Sequence, residues 1–325
     1  MTLSSRSKTA LRWTLGIALG LFFLYLALRD VPLGEVRDAL VQASPAWIAL
    51  ALAGVAFNNF AKVWRWQVLL AERSIHVPFS LGLRATLIGQ MLNYGLPART
   101  GDLSRAYLVG IQGTGTVYAL GTIALEKVFD TLLYGLLFLV TALLFPLPGW
   151  LNRSGGTLLA VAALMTAAAL FLARYPEALF NLGLRITRLL PESLRSRIEP
   201  RLRDALETLG VIRDGHALFS LTLWSLFIWF TAVFPNWALL RALDLPGSWL
   251  AAMTVLLVLQ AVVSLPGVPG RVGVFQYACI LALGLFGVDD TAAFSYGVLL
   301  QTVAVLPLVI GGVVSLSGSR VVGNW

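Results

Sequence analysis

An all-α, polytopic helical membrane protein is the fold this sequence predicts, with about seven or eight spans and one or two re-entrant or broken helices. Three observations carry the prediction. Of 325 residues, 58% are hydrophobic and 12% charged, whereas a soluble domain carries about 25% charged residues. The mean hydropathy is +0.81. The apolar residues also gather in runs of about 17–25, the length that takes a helix through roughly 30 Å of hydrocarbon. This composition excludes an ordinary soluble enzyme, a disordered chain and a nucleic-acid binder. Residues 1–325 read as a single integral-membrane domain.

Arg6, Lys8 and Arg12 precede an apolar run from Trp13 to Leu28. No small-residue cleavage site stands before Arg29, so the run reads as a retained first span rather than a signal peptide. Further spans are expected at 45–64, 116–147, 157–173, 217–240, 249–265 and 291–316. Two shorter apolar pieces, 81–97 and 272–287, are not settled by length. Basic residues collect before the first span, in 62–84 (Lys62, Arg65, Arg73, Arg84) and in 174–216, which holds eight Arg. The opposite loops carry only Arg29 and Arg37, then Arg153, then Arg241. Basic loops stay cytoplasmic, which predicts a multi-pass protein of the cell inner (plasma) membrane with its N-terminus in the cytoplasm. The count is consistent only if 81–97 enters and leaves on one side, so that segment reads as re-entrant. In 174–216, Leu182, Ile186, Leu189 and Leu190 recur at helical spacing, as do Leu194, Ile198, Leu202, Leu206 and Leu209. Amphipathic helices in the cytoplasmic interface account for this pattern; a partner-binding surface is the alternative.

The net charge of +8 would point to nucleic acid in a soluble chain. In a membrane chain it orients spans and meets anionic headgroups, and no nucleic-acid partner is expected. Three of the basic residues are Lys (Lys8, Lys62, Lys127) and the other 21 are Arg. The planar Arg fork grips phosphate at two points, although a GC-rich gene gives the same bias. One cysteine, Cys279, excludes an intramolecular disulfide, and two histidines, His76 and His216, leave no His-rich metal site. No Gly-x-x-x-x-Gly-Lys-Ser/Thr loop is present, so no ATP motor and no cofactor are expected. Asp289-Asp290 reads as a helix N-cap ahead of Thr291.

Ionisable groups in hydrocarbon need a reason. Glu126 and Asp130 are four apart and share a helix face, with Tyr134 one turn on. Two carboxylates there repel unless a cation sits between them or one is protonated. Lys127 stands about 100° round the helix and cannot serve both, so a cation from another segment is implied. Arg99 and Arg105 are candidates, on a segment that Gly95, Pro97 and Gly101 break; Asp102 there could cap the helix that follows. Unwound backbone at membrane depth survives where it packs in protein or lines a wet cavity. A later segment repeats the pattern: Pro-x-Arg-x-Gly occurs at Pro97, Arg99 and Gly101 and again at Pro269, Arg271 and Gly273. Paired broken segments in two halves of a hydrophobic chain point to a transporter site between repeats. Asn58, Lys62 and Arg65 form a polar stripe beside Trp64 and Trp66, for which snorkelling to the interface is the simpler explanation. Gln260 and Gln301 suit helix–helix hydrogen bonds.

Leu-Pro-Ala-Arg-Thr-Gly-Asp-Leu-Ser-Arg (96–105), followed by Leu-Glu-Lys-Val-Phe-Asp (125–130), resembles the lysylphosphatidylglycerol synthase transmembrane-region family. That family includes the flippase-like half of bacterial multiple peptide resistance factor. Pro-Gly-Val-Pro-Gly-Arg-Val-Gly-Val-Phe-Gln (266–276) is similar to its second signature. The chain departs from the family at Lys127, where Arg is usual, at Arg271, where Gly is common, and at Gln276, where Glu is. The resemblance implies lipid translocation or handling. No aminoacyl-transferase domain is legible, so synthesis of an aminoacylated lipid is not expected.

The leading expectation is a flippase-like transporter for an anionic phospholipid, an aminoacylated phospholipid or a polyprenyl-phosphate glycan. Arg99, Arg105 and Arg271 would receive the phosphate, and Glu126 and Asp130 would balance them or meet a cationic headgroup. Asp102, Lys127 and Gln276 complete the candidate substrate-binding set; no catalytic or metal-binding residue is assigned. The alternative is an integral-membrane enzyme or accessory subunit acting on a lipid-linked sugar. A second copy of the chain or a membrane-bound synthase are the protein partners this reading allows. In a cysteine-accessibility map made without Cys279, positions 95–102 should react from the same side as 65–75. Labelling from opposite sides would remove the re-entrant reading.

Overall fold

The computed structural model describes residues 5–29, 31–71, 77–96, 100–145, 147–187, 191–263 and 269–317, and their regular structure is helical. In chain order the helices are α1 (Ser5–Leu28), α2 (Leu33–Gln42), α3 (Pro45–Ala71), α4 (Phe79–Gly95), α5 (Thr100–Val109), α6 (Thr116–Leu144) and α7 (Gly149–Arg174). There follow α8 (Pro176–Thr187), α9 (Glu192–Glu207), α10 (Gly210–Arg213), α11 (Gly215–Ala242), α12 (Trp249–Val263), α13 (Val274–Gly284) and α14 (Asp290–Ser317). Proline marks many of the starts. Pro45 and Pro176 open α3 and α8, and Pro32, Pro78, Pro148 and Pro191 stand just ahead of α2, α4, α7 and α9. At a helix start the missing N–H has no intrahelical partner to lose. Asp214 caps α11 by accepting from the His216 amide at 2.8 Å, and Asp289 caps α14 through the Ala292 amide at 2.9 Å.

The protein is a multi-pass membrane protein. Among the described residues five helices, α3, α6, α7, α11 and α14, are long and apolar enough to cross a bilayer. Residues 16–28 and 33–42, bent by 83°, make a sixth if they count as one span. The expected run at 249–265 becomes α12, whose 15 residues reach only about 22 Å. The unsettled pieces become the short helices α4 and α13. The two broken regions therefore lie where short helices meet.

In the first, α5 folds back along α4. Asn93 joins them: its Oδ1 accepts from the Gly101 amide at 2.9 Å and its Nδ2 donates to Asp102 at 3.0 Å. Gly89 and Gly101 face each other so closely that a Cβ on Gly101 would overlap the Gly89 carbonyl. Pro97 and Arg99 lie outside the described residues. In the second, a short turn at Pro269–Arg271 leads into α13, with Gly270, Arg271 and Gly273 all at positive φ. Gly273 packs against the α1 backbone at Gly20 and Leu24, leaving no room for a side chain.

Among the described residues two large apolar cores hold the bundle, and a smaller third joins α1, α2 and α14 around Ala27, Val36 and Phe294. One of the large cores joins α11, α12, α13 and α14 around Leu239, Leu257, Leu283 and Tyr296; the other gathers α3, α5, α6 and α11 around Trp66, Leu69, Tyr118 and Leu221. Gly101→Ala should lower stability by about 1–3 kcal/mol, the usual cost of forcing volume into a packed contact. Thermal unfolding in detergent measures it, and an unchanged midpoint would show that α4 and α5 separate freely.

Candidate functional site

Arg65, on the buried side of α3, places its guanidinium between the two α6 carboxylates. Its Nη1 donates to Asp130 Oδ1 at 2.6 Å and its Nη2 to Asp130 Oδ2 at 3.3 Å, while Glu126 Oε1 lies 3.7 Å from Nη2. Ser225 of α11 accepts from the same fork at 3.2 Å. The bidentate geometry is the strong form of the pair. Arg65 is 3% exposed, so the snorkelling reading of its stripe is corrected. Its guanidinium is held inside the bundle against the α6 carboxylates. Asn58, further up the stripe, donates to the Ile228 carbonyl at 2.7 Å and so ties α3 to α11.

Arg105 of α5 takes the other side of Glu126, at 2.7 and 3.3 Å. Its guanidinium lies 3.7 Å from the centre of the Trp66 ring, a cation–π contact that strengthens away from water. Trp66 is fixed in turn by its Nε1 donating to Thr122 at 2.9 Å. The result is a ladder of alternating charge, Asp130, Arg65, Glu126 and Arg105, carried by three helices. The implied foreign cation for the Glu126–Asp130 face is thus two cations. Lys127 points away from the ladder, as its helical offset requires, and stands 3.8 Å from Asp102 with its side chain 46% exposed.

The open end of the ladder faces a cavity of about 420 Å³. Its polar wall holds Asn93 and Asp102 from the first broken region, Lys127, Asp130 and Tyr134 from α6, Gln260 from α12, and Arg271 from the second broken region. Trp229 of α11 donates to Asp130 at 3.4 Å and stacks on Tyr134 at 5.9 Å; the Tyr134 hydroxyl donates to the Leu257 carbonyl at 2.6 Å. The opposite wall is apolar: Leu158, Val161 and Met165 of α7. Val161 is 44% exposed and Leu164 beside it 71%, so this wall continues onto the lipid-facing surface of α7. The volume lies within the range of about 300–1,000 Å³ usual for small-molecule sites.

Four of the predicted site residues, Asp102, Lys127, Asp130 and Arg271, line this cavity; Glu126 and Arg105 stand behind it in the ladder. Arg99 lies outside the described residues. Gln276 is buried at the start of α13, where it accepts from the Gly273 amide at 2.8 Å, and does not line the cavity. Asp102 falls inside the first turn of α5 rather than ahead of it. Asn93, Trp229 and the α7 wall were not singled out from sequence. Asn93 could have been: an Asn three residues before a Leu-Pro break has the side chain to hold the helix that follows.

The sequence model of the lysylphosphatidylglycerol synthase TM region matches residues 13–312. The chain belongs to the lysylphosphatidylglycerol synthase transmembrane-region family. The match runs from the start of the first apolar segment almost to the end of α14, so both broken regions and the ladder belong to the family domain. The chain is also similar to a UPF0104 membrane protein of Methanothermobacter thermautotrophicus, 22% identical over 296 residues that cover 85% of this chain and 86% of the relative.

The ladder sets a clear expectation for mutagenesis in this family member. Asp130→Asn alone strands the buried Arg65 guanidinium, a loss of about 3–5 kcal/mol; Arg65→Met strands the partly exposed Asp130 and should cost less, and the double substitution should recover much of the loss. Arg105 with Glu126 should behave alike. The exposed Lys127–Asp102 pair should couple by less than about 1 kcal/mol. Double-mutant cycles on thermal stability decide this, and additive losses for Arg65 and Asp130 would dissolve the ladder.

Proposed function

We propose that this protein moves the headgroup of an anionic or aminoacylated phospholipid, or of a polyprenyl-phosphate glycan, between membrane leaflets. The observation that carries the reading is the amphipathic cavity. Charged side chains from the two broken regions and from α6 line one part of it, and an apolar face of α7 with exposed residues lines another. A soluble metabolite has no use for the second wall; an amphiphile uses both, its headgroup among the charges and its tails along α7. Among the described residues the ladder and cavity hold four cations, Arg65, Arg105, Lys127 and Arg271, against three carboxylates, Asp102, Glu126 and Asp130. That excess of positive charge favours a phosphate.

Membership in the family supports the same reading, since lysylphosphatidylglycerol is an aminoacylated phospholipid whose headgroup carries both a phosphate and ammonium groups. Arg271 contacts the phosphate, Lys127 adds charge at the mouth, and Asp102 and Asp130 offer acceptors to hydroxyl or ammonium groups of the headgroup. With no nucleotide loop in the sequence, movement runs downhill or on an ion gradient. The distribution of basic loops supports an N-terminus in the cytoplasm and a location in the cell's inner membrane, with α8 and α9 in the cytoplasmic interface.

Reconstitution in liposomes with labelled phosphatidylglycerol, its lysyl derivative and a polyprenyl phosphate tests this directly. Wild-type protein should carry at least one of them to the opposite leaflet. Arg271→Ala should cut the rate at least tenfold, and Arg271→Lys should restore it in part, keeping the charge but losing the two-point grip. Wild-type rates in Arg271→Ala would remove the phosphate role. No movement of any lipid by wild-type protein would favour an accessory role beside a lipid-modifying enzyme.

A further inference from the structure

Arg271 holds a backbone conformation that residues with a Cβ avoid: its φ is 54°, in the left-handed region where Cβ crowds the carbonyl oxygen. Gly270 before it, at 63°, and Gly273 after it, at 81°, are suited to positive φ. Such an outlier persists where its surroundings over-determine it, and here two glutamines do so. Gln301 of α14 donates to the Gly270 carbonyl at 2.8 Å, one residue before Arg271. Gln276 accepts from the Gly273 amide at 2.8 Å, two residues after it. The two amides are joined, Gln276 Nε2 donating to Gln301 Oε1 at 2.6 Å.

Gln301 also reaches the other half of the protein. Its Nε2 lies 2.5 Å from the Tyr94 hydroxyl, near the end of α4, and the Arg271 guanidinium lies 5.3 Å from the centre of the Tyr94 ring. Two close approaches along α14 put Gln301 in this place. Gly297, one turn before it, lets the α13 backbone at Gln276 come near; Gly312, three turns after it, receives Met91 of α4. The neighbour of Tyr94, Asn93, is the residue that holds Asp102.

We propose that Gln301 is a positioning residue: acting with Gln276, it holds the left-handed turn that presents Arg271 to the cavity and ties that turn to Tyr94 of the first broken region. The inference rests on the reading that Arg271 meets the headgroup, and it gives Gln276 a role in place of substrate contact. Because the turn is held against its own preference, breaking the clamp lets residue 271 relax to negative φ and withdraws the guanidinium. Both broken regions are released together. The clamp is neutral throughout, so it adds no charge that would compete with Arg271 for an anion.

The test separates backbone positioning from simple helix–helix bonding. Arg271→Ala and Arg271→Gly both delete the side chain and differ in their tolerance of positive φ. In purified full-length protein carrying Gln301, the Gly variant should unfold about 2–4 °C above the Ala variant. With Gln301→Leu the turn is already relaxed, and that difference should vanish or change sign. An unchanged difference would overturn the proposal, since a glutamine that only bonds two helices leaves the conformation at 271 alone. Gln276→Leu removes the other hold and should act in the same way, which keeps the test open should Gln301→Leu fail to fold. In liposomes with labelled phosphatidylglycerol, Gln301→Leu should slow movement at least fivefold. If wild-type protein moves no lipid, the transport reading falls, while the Gly–Ala difference still decides the role of Gln301.

Discussion

The polar interior depends on one guanidinium. Arg65 is the group that lets Glu126 and Asp130 share a helix face, because it stands within reach of both carboxylates and is bound through both arms to one of them. Remove it and two anions remain one turn apart in a low-dielectric bundle. The rest of the polar interior is arranged around that fact. Ser225 and Trp229 bring α11 to the same carboxylate and guanidinium, and Arg105 brings α5 to Glu126. Four helices are therefore fixed in register by charge where apolar packing alone, in a solvent of lipid tails, would leave them free to slide.

The ladder also divides labour between buried and accessible charge. Glu126 and Arg105 are paired with each other and flanked by Arg65 and Trp66, and stay inside. Asp130 has its back to Arg65 and its face to the cavity, with 31% of its side chain exposed. Lys127 and Asp102, loosely paired, sit at the mouth. A ligand thus meets charges whose geometry is set from behind, a requirement for a preorganised site. The α7 wall supplies the opposite property, a surface with no polar demand, and the meeting of the two makes the cavity fit for an amphiphile.

Much of this was legible in the residues. Run length located α3, α6, α7, α11 and α14, since a helix in lipid must satisfy its own backbone and shows itself as a continuous apolar stretch. The i, i+4 spacing of Glu126 and Asp130 called for a cation from elsewhere, and the break around Gly101 pointed to Arg105. Arg65 was visible but undervalued: an Arg near the end of a span snorkels in most settings, and only the position of α6 shows that it turns inward. Gln301 was legible as a helix–helix hydrogen bonder, but its partners were not, because Gln276 and Gln301 meet through close helix approaches at glycines, and nothing in local sequence says which glycine faces which helix.

The seat of Gly273 against α1 has a consequence for how the protein is made. The backbone at Gly20 and Leu24 forms one side of the pocket that receives Gly273, so residues that leave the ribosome early shape a turn that leaves it late. Until α13 emerges, the Gly20–Leu24 backbone of α1 has no Gly273 to receive. Contacts so distant in sequence close last. The second broken region is therefore a late product of assembly, and a nascent chain stalled after α12 would carry the ladder without Arg271 beside its cavity.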